Sequence, residues 1–286
     1  MNRTFVVRSR SLSLTKPLLM GIHNATPDSF SDGDEYPGQE ASLRHCVQML
    51  AEGADIIDIG GESTQPGADP VPIEMELQRV VPLVSALRKA KSDCVISVDT
   101  SKIEVARESI TAGADIINDI TSLRSSSGAI AELCAQTGAG LILMHMRGTP
   151  KTMQNDLDYD NLLTEVLGSL VDAAMLATSL GVHPASIMID PGIGFGKSLE
   201  QNLDLISNIA FFKTAGFPVL VGPSRKSFIG KLLDNIPPDE RLFGTIGACL
   251  RAVAAGADAL RIHDIKAVAQ SLTVFSAMRK RLSPLA

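Results

Sequence analysis

Short apolar runs alternate along the chain with longer segments in which apolar positions recur at helical spacing. Each run is five or six residues long and apolar on both faces, which predicts a buried parallel strand. A helical segment follows each run, so repeated strand–helix units are expected. The predicted strands are 18–22, 56–60, 95–99, 116–120, 141–146, 186–190, 219–223 and 259–263. The predicted helices are 42–52, 73–90, 102–112, 129–137, 158–180, 199–214, 241–255 and 265–282.

A short repeat precedes several of these strands. Gly-Ala-Asp stands at 53–55, 113–115 and 256–258, with a looser copy, Gly-Ala-Gly, at 138–140. The glycine suits the left-handed position that ends a helix. Eight such units favour a single closed (β/α)8 (TIM) barrel with right-handed crossovers. An open doubly wound sheet is the alternative fold.

Composition indicates a protein with a large core. Hydrophobic residues make up 45% and charged residues 20%, which argues against disorder. The 286 residues could form two average domains, but barrels of about 250 residues are commonly one domain. No linker rich in proline or glycine divides the chain. We therefore expect one barrel domain over 1–286.

Charge and cysteine usage narrow the cellular setting. The net charge of −6 and the absence of a basic run argue against nucleic acid as the main partner. No apolar stretch reaches the roughly 20 residues that a membrane span needs. Residues 1–16 are basic and weakly resemble a transit peptide, but an extension or opening strand of the barrel is the preferred interpretation. The cysteines are expected to be buried thiols in a reducing cytoplasm: Cys46, Cys94, Cys134 and Cys249.

Almost every predicted strand ends in polar residues or leads into them. In a barrel these ends meet on one face, where such enzymes keep their active sites. One polar residue at a strand end could simply cap a helix, but the same feature at all eight strands indicates a site. The residues and loops are His23, Asn24, Glu62–Gly67, Asp99, Asn118, Asp119, His145, Arg147, Asp190, Ser224–Ser227, Arg261, His263 and Asp264.

Alternation along a strand predicts which of these side chains share a face. Arg261 and His263 are two residues apart, so together they could form a cation pair for a phosphate-type group. Asn118 faces away from Asp119, and Asp119 could instead cap a neighbouring loop.

Three hydrogen-bond acceptors lie in strands with few basic residues beside them, namely Asp99, Asn118 and Asp190. A carboxylate can accept two parallel hydrogen bonds, so this group suits a neutral heterocycle with adjacent N–H donors. A magnesium site would also use carboxylate oxygens, and the residues alone leave that alternative open.

Residues 190–198 read Asp-Pro-Gly-Ile-Gly-Phe-Gly-Lys-Ser and end like a phosphate-binding loop. That loop needs glycine five positions before its second glycine, where Pro191 stands here, so the motif is rejected. The glycines are expected to let the backbone approach a flat ligand, with Phe195 as a stacking face. His45 and His183 are interpreted as solvated surface residues.

Seven motifs, in order from about residue 18 to the C-terminus, together resemble the dihydropteroate synthase family. They are MGIHNATPDSFSDG (20–33), DIGGESTQPG (58–67), SVDT (97–100), NDI (118–120), DPGIGFGK (190–197), SRKSF (224–228) and RIHD (261–264). The resemblance implies a pterin-binding barrel that joins 4-aminobenzoate to (7,8-dihydropterin-6-yl)methyl diphosphate and releases diphosphate. It also implies Mg²⁺, a homodimer, and a sulfonamide target in folate biosynthesis.

The resemblance assigns roles to individual residues. The implied pterin contacts are Asp99, Asn118, Ile120, Met144, Asp190, Phe195, Gly222, Lys226 and Arg261, of which Asp99, Asp190 and Lys226 would be catalytic. The implied diphosphate contacts are Asn24, Thr64, Gln65, Arg261 and His263, with Asn24 also a ligand of Mg²⁺. The implied 4-aminobenzoate pocket consists of Thr64, Pro66, Phe195 and Ser227.

The chain departs from the family pattern in three places. Gln65 stands where arginine is typical, which removes a cation and should weaken, not abolish, anion binding. His23 and Ala25 replace bulkier apolar residues in the first motif. Pro223 replaces a small residue.

Other functions compatible with these motifs are a pterin-binding methyl-transfer module of the corrinoid type and a diverged paralogue that only binds pterin. A sugar-phosphate aldolase would use Lys226 as its Schiff-base lysine. Lys226 is predicted to lie in a loop beside Arg225 and not within a strand, which counts against the aldolase.

Overall fold

The computed structural model describes residues 3–25, 37–64 and 67–279. A two-stranded antiparallel hairpin comes first, and eight parallel strands with helices between them follow. The strands are β1 (Thr4–Val7), β2 (Arg10–Ser13), β3 (Leu18–Asn24), β4 (Ile56–Gly60), β5 (Val95–Asp99), β6 (Ile116–Asp119), β7 (Gly140–Met144), β8 (Ile187–Asp190), β9 (Leu220–Val221) and β10 (Ala259–Ile262). The helices are α1 (Pro37–Ala51), α2 (Ile73–Ala90), α3 (Ile103–Ala112), α4 (Ala129–Thr137), α5 (Leu162–Ser179), α6 (Leu199–Ser207), α7 (Ile209–Phe212), α8 (Ser227–Leu232), α9 (Leu242–Ala254) and α10 (Ile265–Arg279).

The parallel strands follow one another around a ring in the order β8-β7-β6-β5-β4-β3-β10-β9. A single parallel bridge between Ile189 and Val219 joins the two ends of this order. The predicted (β/α)8 barrel is therefore confirmed, and the open doubly wound sheet is wrong.

The Gly-Ala-Asp repeat fastens each helix end to a neighbouring strand. Its glycines, at positions 53, 113 and 256, have left-handed φ values of +106°, +118° and +106°. The aspartate that follows accepts a hydrogen bond from a backbone N–H near the start of an adjacent strand. The pairs are Asp55 with Leu19 (2.9 Å), Asp115 with Ile96 (3.0 Å) and Asp258 with Val219 (3.0 Å).

The N-terminal hairpin closes the lower end of the barrel, where the strands begin. Phe5 and Val7 are fully buried among the inward-facing apolar residues of the strand starts. The basic residues of this segment bond to the surrounding barrel: the Arg10 guanidinium donates to the Cys94 carbonyl at 2.7 Å, and Lys16 pairs with Asp55 at 3.1 Å. The opening segment thus plugs the barrel. The basic residues that gave it the look of a transit peptide bind it to the surrounding barrel.

Several predicted bounds shift by a few residues. Helix α5 begins at 162 and not at 158, because the Asn161 side chain caps it by accepting from the Thr164 N–H at 3.1 Å. The predicted helix 199–214 divides at Asn208 into α6 and α7. Residues 280–282 of the last predicted helix lie outside the described residues.

Helix α5 is long and apolar enough to span a membrane by length and composition alone. One such helix is weak evidence for a membrane span, because a core helix can have the same length and composition. It carries Glu165 and Asp172, and it buries Val166, Leu170 and Ala174 in the layer between strands and helices. It therefore packs as one of the barrel helices.

Candidate active site

The barrel interior becomes polar toward the C-terminal ends of its strands. Asp58 of β4, Asp99 of β5, Asn118 of β6, Asp190 of β8 and Arg261 of β10 share the parity of the inward-facing apolar residues below them. All three carboxyls and the amide are buried. The structure thus brings together four predicted residues and adds Asp58.

Arg261 reaches across the barrel and binds two carboxyls. Its Nε donates to Asp58 Oδ2 at 2.6 Å, and its Nη2 donates to Asp99 Oδ2 at 2.7 Å. Asn118 Nδ2 also donates to Asp58 Oδ2, at 3.3 Å. The expectation that the acceptors have few cations of their own is wrong, because the guanidinium lies among them.

Asp58 was not among the predicted site residues. The available signal was its position two residues after Ile56 in an otherwise apolar run, which faces it into the barrel. Its partner Arg261 lies 203 residues away in the chain, and no local pattern indicates that pairing.

Burial changes the acid–base behaviour of these carboxyls. It raises the pKa of Asp99 to about 7; Arg261 opposes that rise, and the carboxyl of Asp58 adds to it. Burial raises the pKa of Asp190 to about 6. The Gly192 N–H, which donates to Asp190 Oδ1 at 2.7 Å, acts in the opposite direction. Both carboxyls therefore titrate close to neutral pH.

Lys226 and Phe195 meet beside this polar layer. The Lys226 ammonium lies 3.9 Å from the centre of the Phe195 ring. Burial and Arg261 lower the pKa of Lys226 to about 8, with Asp190 and Asp99 acting in the opposite direction. The ring face that was expected to receive a flat ligand is thus covered by an ammonium group.

The apolar members of the predicted pterin set gather around the same ring. Phe195 forms one buried cluster with Ile120, Met144, Met146 and Met153. Gly222 lies on the other side of the site, where a Cβ would come 3.6 Å from the Arg261 Cβ. All predicted pterin residues therefore lie within this region of the barrel.

The glycine-rich loop after β8 packs closely against protein groups. Gly192 has φ +72°, and a Cβ there would lie 1.9 Å from the His145 carbonyl oxygen. A Cβ at Gly194 would lie 2.8 Å from Lys226 Cδ. The glycines thus permit the close approach of the neighbouring loops, and their contact with a flat ligand stays a prediction.

Lys197, which ends that loop motif, is buried and points inward toward β7. Its ammonium donates to the Phe195 carbonyl at 2.8 Å and to the His145 carbonyl at 3.3 Å, and lies 2.9 Å from His145 Nδ1. Burial lowers the pKa of Lys197 to about 7, and burial together with Lys197 lowers the pKa of His145 to about 2. Lys197 therefore acts as a clamp on the loop and does not face phosphate as a P-loop lysine would.

His263 does not form the expected cation pair with Arg261. Its Nδ1 lies 2.9 Å from Ser224 Oγ, and burial with the nearby Arg225 lowers its pKa to about 3, so the ring is neutral. Arg225 itself is occupied by Asp264, to which it donates twice at 3.1 and 2.7 Å. His263 opens instead on a cavity of about 480 Å³ that Lys266 also lines.

The remaining predicted residues lie at the rim or outside the described part. Asn24 is exposed at the end of β3, with Oδ1 4.0 Å from the Cβ position of Gly60. Thr64 is half-buried, and Ser227 is exposed as the first residue of α8. Two further predicted site positions, Gln65 and Pro66, lie outside the described residues, as does 26–33 of the first motif.

Other predictions concern residues around the site. Asp119 caps a loop as expected, accepting from the N–H groups of Thr121 and Leu123 at 2.8 and 2.7 Å. His183 is exposed, as predicted. His45 is exposed too, but its Nδ1 lies 3.0 Å from Nδ1 of the buried His23.

Comparison with known proteins identifies close relatives. The pterin binding enzyme family model matches residues 20–263. A dihydropteroate synthase of Synechocystis sp. is 48% identical over 260 residues, covering 91% of this chain and 89% of that protein. The Yersinia pestis dihydropteroate synthase, solved with a sulfonamide drug complex, superposes with a TM-score of 0.90 at 42% identity, covering 97% of this chain and 99% of that one. The Xanthomonas albilineans enzyme, solved with 4-aminobenzoic acid, gives a TM-score of 0.91 at 40% identity, covering 99% and 100%.

Proposed function

The chain belongs to the pterin-binding enzyme family as a dihydropteroate synthase, a transferase of folate biosynthesis, and from this premise we propose how its residues carry out the reaction. The substrates are (7,8-dihydropterin-6-yl)methyl diphosphate and 4-aminobenzoate, and the products are 7,8-dihydropteroate and diphosphate. The observation that carries the assignment of roles is the polar layer inside the barrel, where Asp58 and Asp99 bind the Arg261 guanidinium and Asp190 is buried nearby.

The pterin ring is held by the acceptors of this layer. Asp99, Asn118 and Asp190 accept hydrogen bonds from its N–H groups, because adjacent N–H donors match paired carboxylate oxygens. Lys226 donates to a ring acceptor, and Arg261 stacks its guanidinium on the ring. The apolar cluster around Phe195 packs on the remaining faces.

The reaction is a substitution at the pterin methylene carbon. The C–O bond to diphosphate breaks, the aryl amine nitrogen forms the new C–N bond, and the amine proton leaves to solvent. Positive charge develops on the pterin methylene as the C–O bond lengthens, and ionised Asp99 and Asp190 stabilise it. No covalent enzyme intermediate is required.

The outer part of the pocket receives 4-aminobenzoate. Thr64, Pro66, Phe195 and Ser227 are assigned to it, and a sulfonamide would compete there. The aminobenzoate carboxylate faces the start of α8 near Ser227, where the backbone N–H groups of a helix N-terminus attract an anion.

Mg²⁺ is assigned to the diphosphate at Asn24. Among the described residues no group of three or more His, Cys, Asp or Glu side chains could enclose a metal ion. This fits Mg²⁺, which binds through few protein ligands together with substrate phosphates and water, and Asn24 offers a hard amide oxygen at the barrel mouth. When bound, Mg²⁺ would supply positive charge that favours the departure of diphosphate. Arg261 and His263 bind diphosphate from the protein side.

Turnover tests this function directly. Purified protein is incubated with the pterin diphosphate, 4-aminobenzoate and Mg²⁺, and dihydropteroate is measured. We expect product that depends on all three. Pterin binding without product would overturn the synthase and favour a pterin-binding module of the methyl-transfer or diverged type.

The protein is assigned as a cytoplasmic homodimer. Exposed apolar side chains support the dimer: Phe243 of α9 is 83% exposed, and Val274 and Met278 of the adjoining α10 are 61% and 60% exposed. The four buried thiols, which form no disulfide, support the cytoplasm. Sedimentation analysis should give a dimer that Phe243→Asp weakens, and a monomeric wild type would overturn the assignment.

A further inference from the structure

Asp58 lies at the centre of the barrel and takes no part in the roles assigned above. It is the middle residue of β4, and it is fully buried. Burying an ionisable carboxyl is costly unless partners compensate for the lost water. The partners therefore indicate why the residue stands there.

Among the described residues, both hydrogen-bond donors that reach Asp58 come from side chains assigned to the pterin. Arg261 Nε and Asn118 Nδ2 share its Oδ2, at 2.6 and 3.3 Å. Its buried Oδ1 has no partner in the part of the chain that the structure describes. A carboxyl that served only the core would satisfy both oxygens. Asp58 instead directs its contacts to two groups that face the ligand.

The contact with Arg261 fixes the plane of the guanidinium. Asp58 binds the Nε edge, and Asp99 binds Nη2 at 2.7 Å. A planar group held on two edges cannot turn about its own axis without losing a charge-assisted bond. Asp58 thus determines which face Arg261 presents to the pocket.

The contact with Asn118 fixes the direction of an amide. A side-chain amide has a donor end and an acceptor end. Because Nδ2 is turned to Asp58, Oδ1 remains as the acceptor on the opposite side. A pterin N–H needs that acceptor, and a reversed amide would present a donor to a donor.

We propose that Asp58 is a positioning residue of the synthase, which sets the plane of Arg261 and the amide direction of Asn118 before the pterin binds. The inference rests on the proposed function, because the roles of those two side chains come from it. Asp58 itself need not touch the substrate.

The test compares Asp58→Asn with a matched control, Ser97→Ala. Ser97 is the register partner of Asp58 on β5, is equally buried, and its Oγ has no partner among the described residues. Asp58→Asn should lower kcat/KM for the pterin diphosphate at least about tenfold and change KM for 4-aminobenzoate less than about twofold. Ser97→Ala should keep wild-type values.

A double-mutant cycle separates positioning from a general structural role. If Asp58 acts through Arg261, Asp58→Asn should cost less than about threefold once Arg261→Ala is present. An undiminished cost in that background would overturn the proposal.

The pH profile gives a second readout that a structural role would not move. Burial raises the pKa of Asp99 most, Arg261 opposes that rise, and the carboxyls of Asp58, Glu76 and Asp119 add to it. Removing the Asp58 charge should therefore shift the acid limb of kcat/KM to lower pH. An unshifted limb would count against the proposal.

Calorimetric binding of 6-hydroxymethyl-7,8-dihydropterin keeps this inference distinct from the proposed function. An inactive wild type would overturn the function, while weaker binding by Asp58→Asn would still support the role of Asp58. Asp58→Ser serves as a second variant, with folding checked by thermal melting. Wild-type binding and rates in both variants, or loss of folding in both, would overturn the positioning role.

Discussion

The ammonium of Lys226 stands 3.9 Å above the ring of Phe195 and so joins the loop after β9 to the loop after β8. A cation over an aromatic ring contributes about 0.5–2 kcal/mol, depending on its desolvation. Lys226 is half-buried, so the contact holds a charged group in place at the edge of the pterin pocket.

Removing the charge of Lys226 or of Asp190 should slow the reaction. Lys226→Ala and Asp190→Asn are each expected to lower kcat/KM by more than about tenfold, equivalent to about 1.4 kcal/mol of transition-state stabilisation. Steady-state kinetics with both substrates measures this. Lys231→Ala, at an exposed lysine of α8 five residues after Lys226, is the control and should match wild type. Wild-type rates in both pocket variants would show that the pocket is wrongly assigned.

The pH dependence of kcat/KM should be bell-shaped. In the proposed function Asp99 and Asp190 accept from the pterin when ionised, so activity should rise with pH as these groups ionise at about 7 and about 6. Lys226 donates when protonated, so activity should fall above about 8. Lys226→Arg keeps its proton to higher pH and should move the alkaline limb upward. The same alkaline limb in that variant would rule out Lys226 as its source.

The clamp formed by Lys197 should act on substrate binding. Lys197→Met removes its bonds to the carbonyls of Phe195 and His145, which frees the loop after β8. KM for the pterin diphosphate should rise about fivefold, the value of one or two hydrogen bonds, with faster amide exchange in that loop. Lys213→Met is the control, because Lys213 bonds a carbonyl and Asp258 at the opposite end of the barrel. Equal KM changes in the two variants would contradict the clamp.

The buried His23 should limit stability in acid. Burial, followed by the nearby His45, lowers its pKa from 6.5 to about 4, so the unfolded chain binds a proton that the folded chain excludes. The free energy of unfolding is therefore unaffected by this histidine above pH 6.5. It falls by about 1.4 kcal/mol per pH unit as the pH drops from 6.5 toward 4.

His23→Leu should remove this loss and also the Nε2 atom that has no partner among the described residues, which should stabilise the protein by about 1–3 kcal/mol. Urea unfolding at pH 7.5 and 5.0 measures the difference between variant and wild type, which should widen at pH 5.0. His183→Asn, at an exposed position, should show no widening. A constant difference at both pH values would refute the acid effect.

The ring and its polar upper layer could be predicted because both follow from short-range rules. The Gly-Ala-Asp repeat marked three helix ends, and strand parity turned Asp99, Asn118 and Asp190 to the same side. Helix and strand limits shifted where a side chain such as Asn161 caps the backbone.

The internal pairing of the site could not be predicted in the same way. Arg261 was expected to face phosphate and pterin, but its pairing with Asp58 and Asp99 was not expected, because those contacts arise only when the ring closes. The neutral state of His263 depends on burial and on Arg225, which no single motif contains. Sequence patterns thus predicted which residues meet but not their protonation or mutual contacts.

The plug formed by Phe5 and Val7 has a consequence for traffic through the enzyme. Because the lower end of the barrel is sealed, the mouth is the one route in and out of the interior along the described chain. In the proposed arrangement the pterin is bound deeper, so it has to enter before 4-aminobenzoate covers it, and diphosphate has to leave past the rim. A molecule in the outer position therefore traps whatever lies beneath it. The closed lower end of the barrel thus imposes an order of binding, with the pterin first and 4-aminobenzoate second.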